Sequence, residues 1–324
     1  MVKALLSLAT PFYEANPQVI EEIKNLGIDL TYLLNGNDAS KETIIEQLQD
    51  KDIFITGVNR VDKEVLDSAA KLKYILKYGT GVDNIDIDYA SKKGIFVTNA
   101  PGENASSVAD LAIGLMLSIS RKIHQADKLV KSRNWEIMIG DELEGKRIGI
   151  IGFGNIGQKI AQRALGFAME IVAYGTYKNE EAAKQYQAVF VDLPELLTTS
   201  DYIVICTSLT EATYHLIDES SLKQMKKTAY LINIARGNIV DEAALTEALK
   251  QKQIKGAGID VFQKEPTDSE LALLDNVIAT PHIGGGTIDS TKRVARVTVQ
   301  NLKNFLAEKP LLNLVNATGL QHQL

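Results

Sequence analysis

Three residues suited to proton transfer or anion binding each close an apolar run in the second half of the chain. Arg236 follows Leu231-Ile232-Asn233-Ile234-Ala235 and precedes Gly237. Glu265 ends the stretch Asp260-Val261-Phe262-Gln263-Lys264-Glu265, and His282 lies between Pro281 and a run of three glycines after Ile283. Each apolar run reads as a strand, so all three residues fall at C-terminal strand ends, where open α/β sheets bind ligands. Of His124, His215, His282 and His322, only His282 has this placement. Taken singly, each could be a solvated loop charge or half of an ion pair. Three at successive strand ends point to a reaction site.

A second constellation lies upstream. Gly152-Phe153-Gly154-Asn155-Ile156-Gly157 follows the apolar run Arg147–Ile151 and opens a helical pattern. In such a fingerprint the first glycine permits the tight turn. The second lets the backbone approach a pyrophosphate, and the third lets helix and strand pack closely. The helix N-terminus offers free N–H groups and the positive end of its dipole to the phosphates. An NAD-selective site carries Asp or Glu about 20 residues further on, to hold the ribose 2′-hydroxyl. Here the next strand ends Tyr174-Gly175-Thr176, with Lys178 close behind. Without that carboxylate, either the site tolerates NADP or Thr176 and backbone groups hold the NAD ribose with weak selectivity.

Composition sets the frame around these sites. The chain has 324 residues, more than a single core usually serves, so two domains are expected. Lys plus Arg number 35 and Asp plus Glu 41, a net charge of −6, which disfavours non-specific binding to nucleic acid or anionic membrane. An anionic substrate then needs a local basic site. The single cysteine, Cys206, allows neither an intrachain disulfide nor a zinc cage, so no metal site is expected. It lies in the apolar run from Tyr202, a core setting unsuited to a nucleophile. The N-terminus does not read as a secretory signal, and Val108 to Ile119 is too short to span a bilayer; a cytoplasmic protein is expected.

Strands expected at Ala4–Leu8, Ile53–Thr56, Tyr74–Lys77 and Ile95–Thr98 alternate with helices at Pro17–Leu26, Lys41–Gln49, Lys63–Ala70 and Asp86–Lys93. Ser40, Asp62 and Asp192 suit helix N-caps. A helix from near Asn104 to about Arg121 precedes a second series, with strands at Arg147–Ile151, Glu170–Tyr174, Tyr202–Thr207, Thr228–Asn233, Lys255–Ile259 and Val277–Ala279. Helices are expected at Ile156–Leu165, Asp241–Gln251 and Thr287–Leu306. Repeated β-α units imply parallel sheets with helices on both faces. The chain is expected to cross between domains twice, so that residues 1–101 and 290–324 form one domain and 102–289 the other.

Several motifs in order make the chain resemble the D-isomer-specific 2-hydroxyacid dehydrogenase family over essentially its whole length. They are Gly79-Thr80-Gly81-Val82-Asp83-Asn84-Ile85-Asp86, Asn99-Ala100-Pro101, the glycine fingerprint, Ala235-Arg236-Gly237, Asp260-Val261-Phe262 through Glu265-Pro266, and Pro281-His282. Gly175 and Ser208 depart from the family pattern. The resemblance implies two doubly wound parallel-sheet domains, a Rossmann-type nucleotide-binding domain and a flavodoxin-like substrate domain, with the reaction in the cleft between them. It implies an oxidoreductase moving a hydride between a nicotinamide and a D-2-hydroxy acid, with His282 exchanging the hydroxyl proton. Glu265 would favour the imidazolium, and Arg236 would bind the carboxylate and polarise the 2-oxo group. Asp260 would contact the nicotinamide end of NAD or NADP. Gly152, Gly154, Asn155, Ile156, Gly157, Gly175, Thr176, Thr207, Ile234, Ala235, His282 and Gly284 would line the rest of the cofactor.

The same resemblance gives the backbone amides of Thr80 and Gly81 to the substrate carboxylate. Lys77-Tyr78-Gly79-Thr80-Gly81-Val82-Asp83 is most like the phosphoglycerate dehydrogenases, where a base at the position of Lys77 helps bind phosphate. That favours 3-phosphoglycerate and 3-phosphohydroxypyruvate as substrates. Hydroxypyruvate or glyoxylate, or lactate-like acids, are the alternatives; Glu265 in place of an amide disfavours formate. Too few residues follow His282 for an appended serine-sensing domain. A homodimer is expected, with Trp135 either in its interface or reaching the partner's site. An NAD(H)-sensing corepressor-like protein is the second function class, and oxidation of NADH by 2-oxo acids would separate the two.

Overall fold

The computed structural model describes residues 1–317, so His322 lies outside them. The chain divides into two compact units, Met1–Asn104 with Gly285–Leu324, and Ala105–Gly284. The division falls three residues after the expected first boundary and five before the second.

The first unit begins β1 (Lys3–Ser7), α1 (Thr10–Ala15), α2 (Gln18–Lys24), β2 (Asp29–Leu33), α3 (Lys41–Leu48) and β3 (Ile53–Thr56). It continues with α4 (Lys63–Ser68), β4 (Tyr74–Lys77), α5 (Ile87–Lys92) and β5 (Phe96–Thr98). The sheet is parallel throughout, in the order β2-β1-β3-β4-β5, the flavodoxin-like winding. The strands β3 and β4 are buried along their whole length, because helices cover both faces. Ser40 and Asp62 cap α3 and α4 as expected, accepting from the amides of Thr43 and Val65.

The second unit opens with α6 (Ala105–Ser120) and α7 (Ile123–Lys131), then β6 (Arg147–Ile151), α8 (Asn155–Leu165), β7 (Glu170–Tyr174), α9 (Glu180–Gln185) and β8 (Ala188–Phe190). It continues through α10 (Leu193–Thr199), β9 (Tyr202–Ile205), α11 (Glu219–Gln224), β10 (Tyr230–Asn233), α12 (Glu242–Lys250), β11 (Gly256–Ile259) and β12 (Val277–Ala279). The order β12-β11-β10-β9-β6-β7-β8, all parallel, is a Rossmann winding with one added strand. After β8 the chain returns to the other side of β6, so the topological switch lies between β6 and β9. Two apolar clusters fill the two faces. One gathers Val108, Ala112 and Leu115 of α6 with Ile148 and Ile150; the other gathers Leu231 and Ile259 with Leu245 and Leu249 of α12. Asp192 caps α10 through the Glu195 amide.

The chain then re-enters the first unit as α13 (Ile288–Leu306), which buries Val294, Ala295, Val299 and Leu302 against Ala4, Leu6, Tyr74 and Leu76. Six elements were given no bounds from the sequence: α1, β2, α7, α9, β8 and α11. The strand at Tyr202 ends at Ile205, before Cys206. Among the described residues no helix is long and apolar enough to cross a membrane.

Candidate active site

In the second unit, chain connectivity alone brings the chemistry to one sheet edge. The fingerprint follows β6, Gly175 and Thr176 follow β7, Thr207 follows β9, and Ile234 to Arg236 follow β10. Asp260 follows β11, and His282 and Gly284 follow β12. In a parallel sheet all these strand ends point the same way.

Packing at the glycines brings these loops together. Gly152 has φ +98°, and a Cβ there would meet the Thr207 amide at 2.8 Å, so it holds the switch point between β6 and β9 closed. A Cβ on Gly157 would stand 2.2 Å from the Gly152 carbonyl oxygen, which lets α8 start directly over β6. Gly154 differs: a Cβ there would meet nothing within 4 Å. Its side is open space, flanked by the first turn of α8, which carries no acidic residue. The Gln158 amide donates to the Gly154 carbonyl at 3.0 Å and opens the helical ladder of α8, so the amides of Asn155, Ile156 and Gly157 precede it. A glycine that packing does not require, beside a row of helix-start amides, fits a pyrophosphate. A Cβ on Gly175 would find only ordinary contacts, the nearest being the Phe153 amide nitrogen at 3.8 Å. Cys206 donates its thiol to the Gly152 carbonyl at 2.9 Å, and burial pushes the thiol up to about 12, which excludes a nucleophilic role.

The proton-handling pair is formed. His282 Nδ1 and Glu265 Oε2 stand 2.8 Å apart, and the other carboxylate oxygen accepts the Phe262 amide at 3.0 Å. The two side chains are 43% and 39% exposed, open enough for a substrate to reach. Burial pushes the Glu265 carboxyl up, but the hydrogen bond and charge of His282, the Phe262 amide and the Arg236 charge together hold it below the usual range. It is therefore an anion throughout the neutral range. The loop before it is fixed by Gly237, where a Cβ would sit 2.0 Å from the Phe262 carbonyl carbon. Only glycine lets the Arg236 loop lie directly on the Phe262-Gln263 backbone that carries Glu265.

Two residues do positional work that sequence reasoning missed. Asn233, 1% exposed, accepts the Ala235 amide at 3.1 Å and donates to the Arg236 carbonyl at 3.0 Å, tying the turn that presents Arg236. The Arg236 guanidinium donates in turn to the Ala235 carbonyl at 2.7 Å. An Asn at the end of an apolar strand was the available signal. Asp260 was expected at the nicotinamide. Its buried carboxylate accepts from the Thr280 hydroxyl at 2.6 Å and from the amides of Ile283 and Gly284 at 2.9 Å. It thereby shapes the loop that carries His282, whose own φ is +53°.

In the first unit, Lys77 is only 9% exposed and its ammonium donates to Asn84 Oδ1 at 2.8 Å and to the Gly57 carbonyl. The base expected to meet a phosphate is thus engaged inside its own unit. Thr80 is held by Asn99, whose amide donates to its carbonyl at 2.6 Å, and by its own hydroxyl donating to Asn104 Oδ1 at 3.0 Å. The amides of Thr80 and Gly81 find no acceptor among the described residues.

Comparison with known proteins points the same way. The family model described as "D-isomer specific 2-hydroxyacid dehydrogenase, NAD binding domain" matches residues 113–284. A glyoxylate reductase of Pyrococcus horikoshii is 43% identical over 287 residues, covering 85% of this chain and 86% of the relative. A D-3-phosphoglycerate dehydrogenase of Methanocaldococcus jannaschii is 37% identical over 328 residues, covering all of this chain and 61% of the relative. Among solved structures, a D-lactate dehydrogenase of Aquifex aeolicus complexed with NAD and lactic acid superposes with a TM-score of 0.82 at 29% identity, covering 99% of this chain and 98% of that one.

Proposed function

The chain belongs to the D-isomer-specific 2-hydroxyacid dehydrogenase family, an NAD-binding oxidoreductase acting on CH–OH groups, and from that premise we propose that it reduces glyoxylate or hydroxypyruvate. The observation that carries the reaction type is the 2.8 Å contact of His282 with a carboxylate held ionised. Gly152 to Gly157 would hold the pyrophosphate of the dinucleotide, and the reduced cofactor would supply the hydride that goes to C2 of the 2-oxo acid. His282, as imidazolium, gives its proton to the carbonyl oxygen, so the product leaves as the 2-hydroxy acid. Glu265 stays anionic throughout and favours the protonated ring that precedes transfer. Arg236 grips the substrate carboxylate and polarises the 2-oxo group. The amides of Thr80 and Gly81 offer further donors to that carboxylate. Residues 1–104 with 285–324 serve the substrate and residues 105–284 the cofactor.

The substrate reading departs from 3-phosphohydroxypyruvate for two reasons. The glyoxylate reductase of Pyrococcus horikoshii is the more similar of the two curated relatives described above. Lys77, the base on which the phosphate reading rested, has its ammonium committed to Asn84 and Gly57. The corepressor-like alternative gives way because the matched relatives are dehydrogenases and reductases. Initial rates with glyoxylate, hydroxypyruvate, pyruvate and 3-phosphohydroxypyruvate, each with NADH and NADPH, test the proposal. The expected result is a kcat/KM for glyoxylate or hydroxypyruvate at least about tenfold above that for the phosphorylated acid, roughly one lost charged hydrogen bond. The reverse order restores phosphoglycerate.

A further inference from the structure

The five-stranded sheet of the first unit ends at β5, a strand of three residues that pairs on one side with β4. The outer side of an edge strand carries N–H and C=O groups that need partners. The chain supplies them itself after α13, in the segment 312–316. Leu314 bridges Thr98 in the antiparallel sense, and the Val315 amide donates to the Val97 carbonyl at 2.8 Å. Asn316, 4% exposed, accepts the Val97 amide at 3.0 Å and donates to the Ile95 carbonyl at 2.8 Å and the Ser91 hydroxyl at 3.1 Å. The start of the segment is tied to α13. There Asn301, fully buried, accepts the Leu312 amide at 2.7 Å and donates to the Leu312 carbonyl at 3.0 Å.

The edge fixed in this way leads directly to the Thr80 loop. Asn99 and Ala100 follow β5, and three hydrogen bonds join them to Gly79 and Thr80. The Ala100 amide donates to the Gly79 carbonyl at 2.8 Å, the Asn99 side chain to the Thr80 carbonyl at 2.6 Å, and the Thr80 hydroxyl to the Ala100 carbonyl at 3.2 Å. Asn313 reaches the same place from the returning segment. Its backbone is left-handed, with φ +55°, and its side chain donates to the Asn99 carbonyl at 3.4 Å. The end of β5 thus sets where the Thr80 and Gly81 amides stand, and residues 312–316 set β5.

We infer that Asn316 and Asn313 are positioning residues for substrate binding, acting through β5 and Asn99; this rests on the reading of the Thr80 and Gly81 amides as donors to the substrate carboxylate. A contact made alike in the ground and transition states shows in KM and leaves kcat alone. Asn316→Ala removes all three side-chain bonds of that residue. Asn313→Gly keeps the left-handed backbone and removes only the bond to Asn99, so it should fold even if Asn316→Ala does not. KM for the 2-oxo acid should rise at least about threefold in Asn316→Ala, within the usual loss for one hydrogen bond, and by a smaller factor in Asn313→Gly. In both, kcat and NADH affinity should hold, and hydrogen exchange of the peptide spanning residues 79–81 should quicken. Exchange of that peptide in the unaltered protein, with NADH present, is also measured with and without oxamate, a 2-oxo acid analogue that resists reduction. Oxamate should slow it. No slowing would show that the carboxylate reading itself fails, and the inference with it. Slowing by oxamate, with KM and exchange unmoved in the folded variants even if they melt earlier, would leave that reading standing and make residues 312–316 a structural strap only. Weakened NADH binding would also overturn the inference, because the cofactor belongs to residues 105–284.

Discussion

His282 adopts a left-handed backbone conformation that a β-carbon makes costly, and the residues around it hold it there. Its amide donates to the Asp260 carbonyl at 2.9 Å, while the Asp260 side chain gathers the three groups on either side of it. His282→Ala should leave cofactor binding intact and lower kcat by at least ~10²-fold, the usual loss of a general acid; fluorescence titration with NADH alongside kcat separates the two. Glu265 is held below the usual carboxylate range, so it does not titrate within the assay window and contributes one fixed negative charge. In Glu265→Gln that charge is gone and the imidazolium needed for reduction is less favoured. The alkaline limb of the pH–rate profile for reduction should then move to lower pH, and an unmoved limb would show that the pair is not functional. Arg236→Lys keeps the charge and loses the planar fork, so KM for the 2-oxo acid should rise and kcat fall together; near-normal kinetics would remove Arg236 from the substrate. Arg236, Glu265 and His282 were legible in the sequence because their types announce chemistry. Asn233 and the loop-shaping role of Asp260 were not, since those depend on where backbone amides end up after the loops fold.

At the scale of elements, the six residues from Gly152 to Gly157 contain glycines required for different reasons, and substitution separates them. Gly157→Ala drives a Cβ into the Gly152 carbonyl and should cost roughly 1–3 kcal/mol of stability. Gly154→Ala projects into open space; it should cost no more than about 1 kcal/mol as a helix-cap change, yet raise KM for the dinucleotide. Thermal melts and cofactor titrations of the two variants check this, and a Gly154→Ala protein with unaltered cofactor binding would refute the pyrophosphate reading. The end of β7 gives a further case. Because a side chain at Gly175 meets only ordinary contacts, Gly175→Asp should fold normally and create a strong preference for NADH over NADPH through repulsion of the 2′-phosphate. A wild-type enzyme that already rejects NADPH by orders of magnitude would mean another group enforces selectivity. The interior strands were legible from apolar runs because helices cover both of their faces. The two strands that escaped notice, β2 and β8, are sheet edges, where Asp29, Tyr32 and Val189 are exposed and the run is broken. The six-residue α1 is too short to show a periodic face.

The molecule as a whole is two units threaded by one chain, and the first is finished only by α13. The second unit also carries a feature that neither of its cores explains. No residue of α7 is buried, and the stretch that follows it has little regular structure. Ile123, Val130, Trp135, Ile137 and Ile139 are all exposed, Trp135 at 88% and Ile137 at 90%. Isolated apolar side chains on a surface are ordinary, but five within seventeen residues, ending in nearly bare tryptophan and isoleucine, mark an interaction surface. The overall charge of −6 disfavours an anionic membrane or nucleic acid as what covers it. The homodimer expected from the sequence would cover it by using the same patch twice about a two-fold axis. Replacing Trp135 and Ile137 together by Ser removes no buried contact within the unit, so the protein should keep its fold and its melting cooperativity. If the expected dimer forms through this patch, the mass by light scattering should fall from that of two chains to that of one. If the reaction needs Trp135 from a partner, kcat/KM should fall with the mass; if the patch only joins the copies, each freed chain should retain its activity. A double variant that stays dimeric would put the interface elsewhere and leave these five side chains without a physical account.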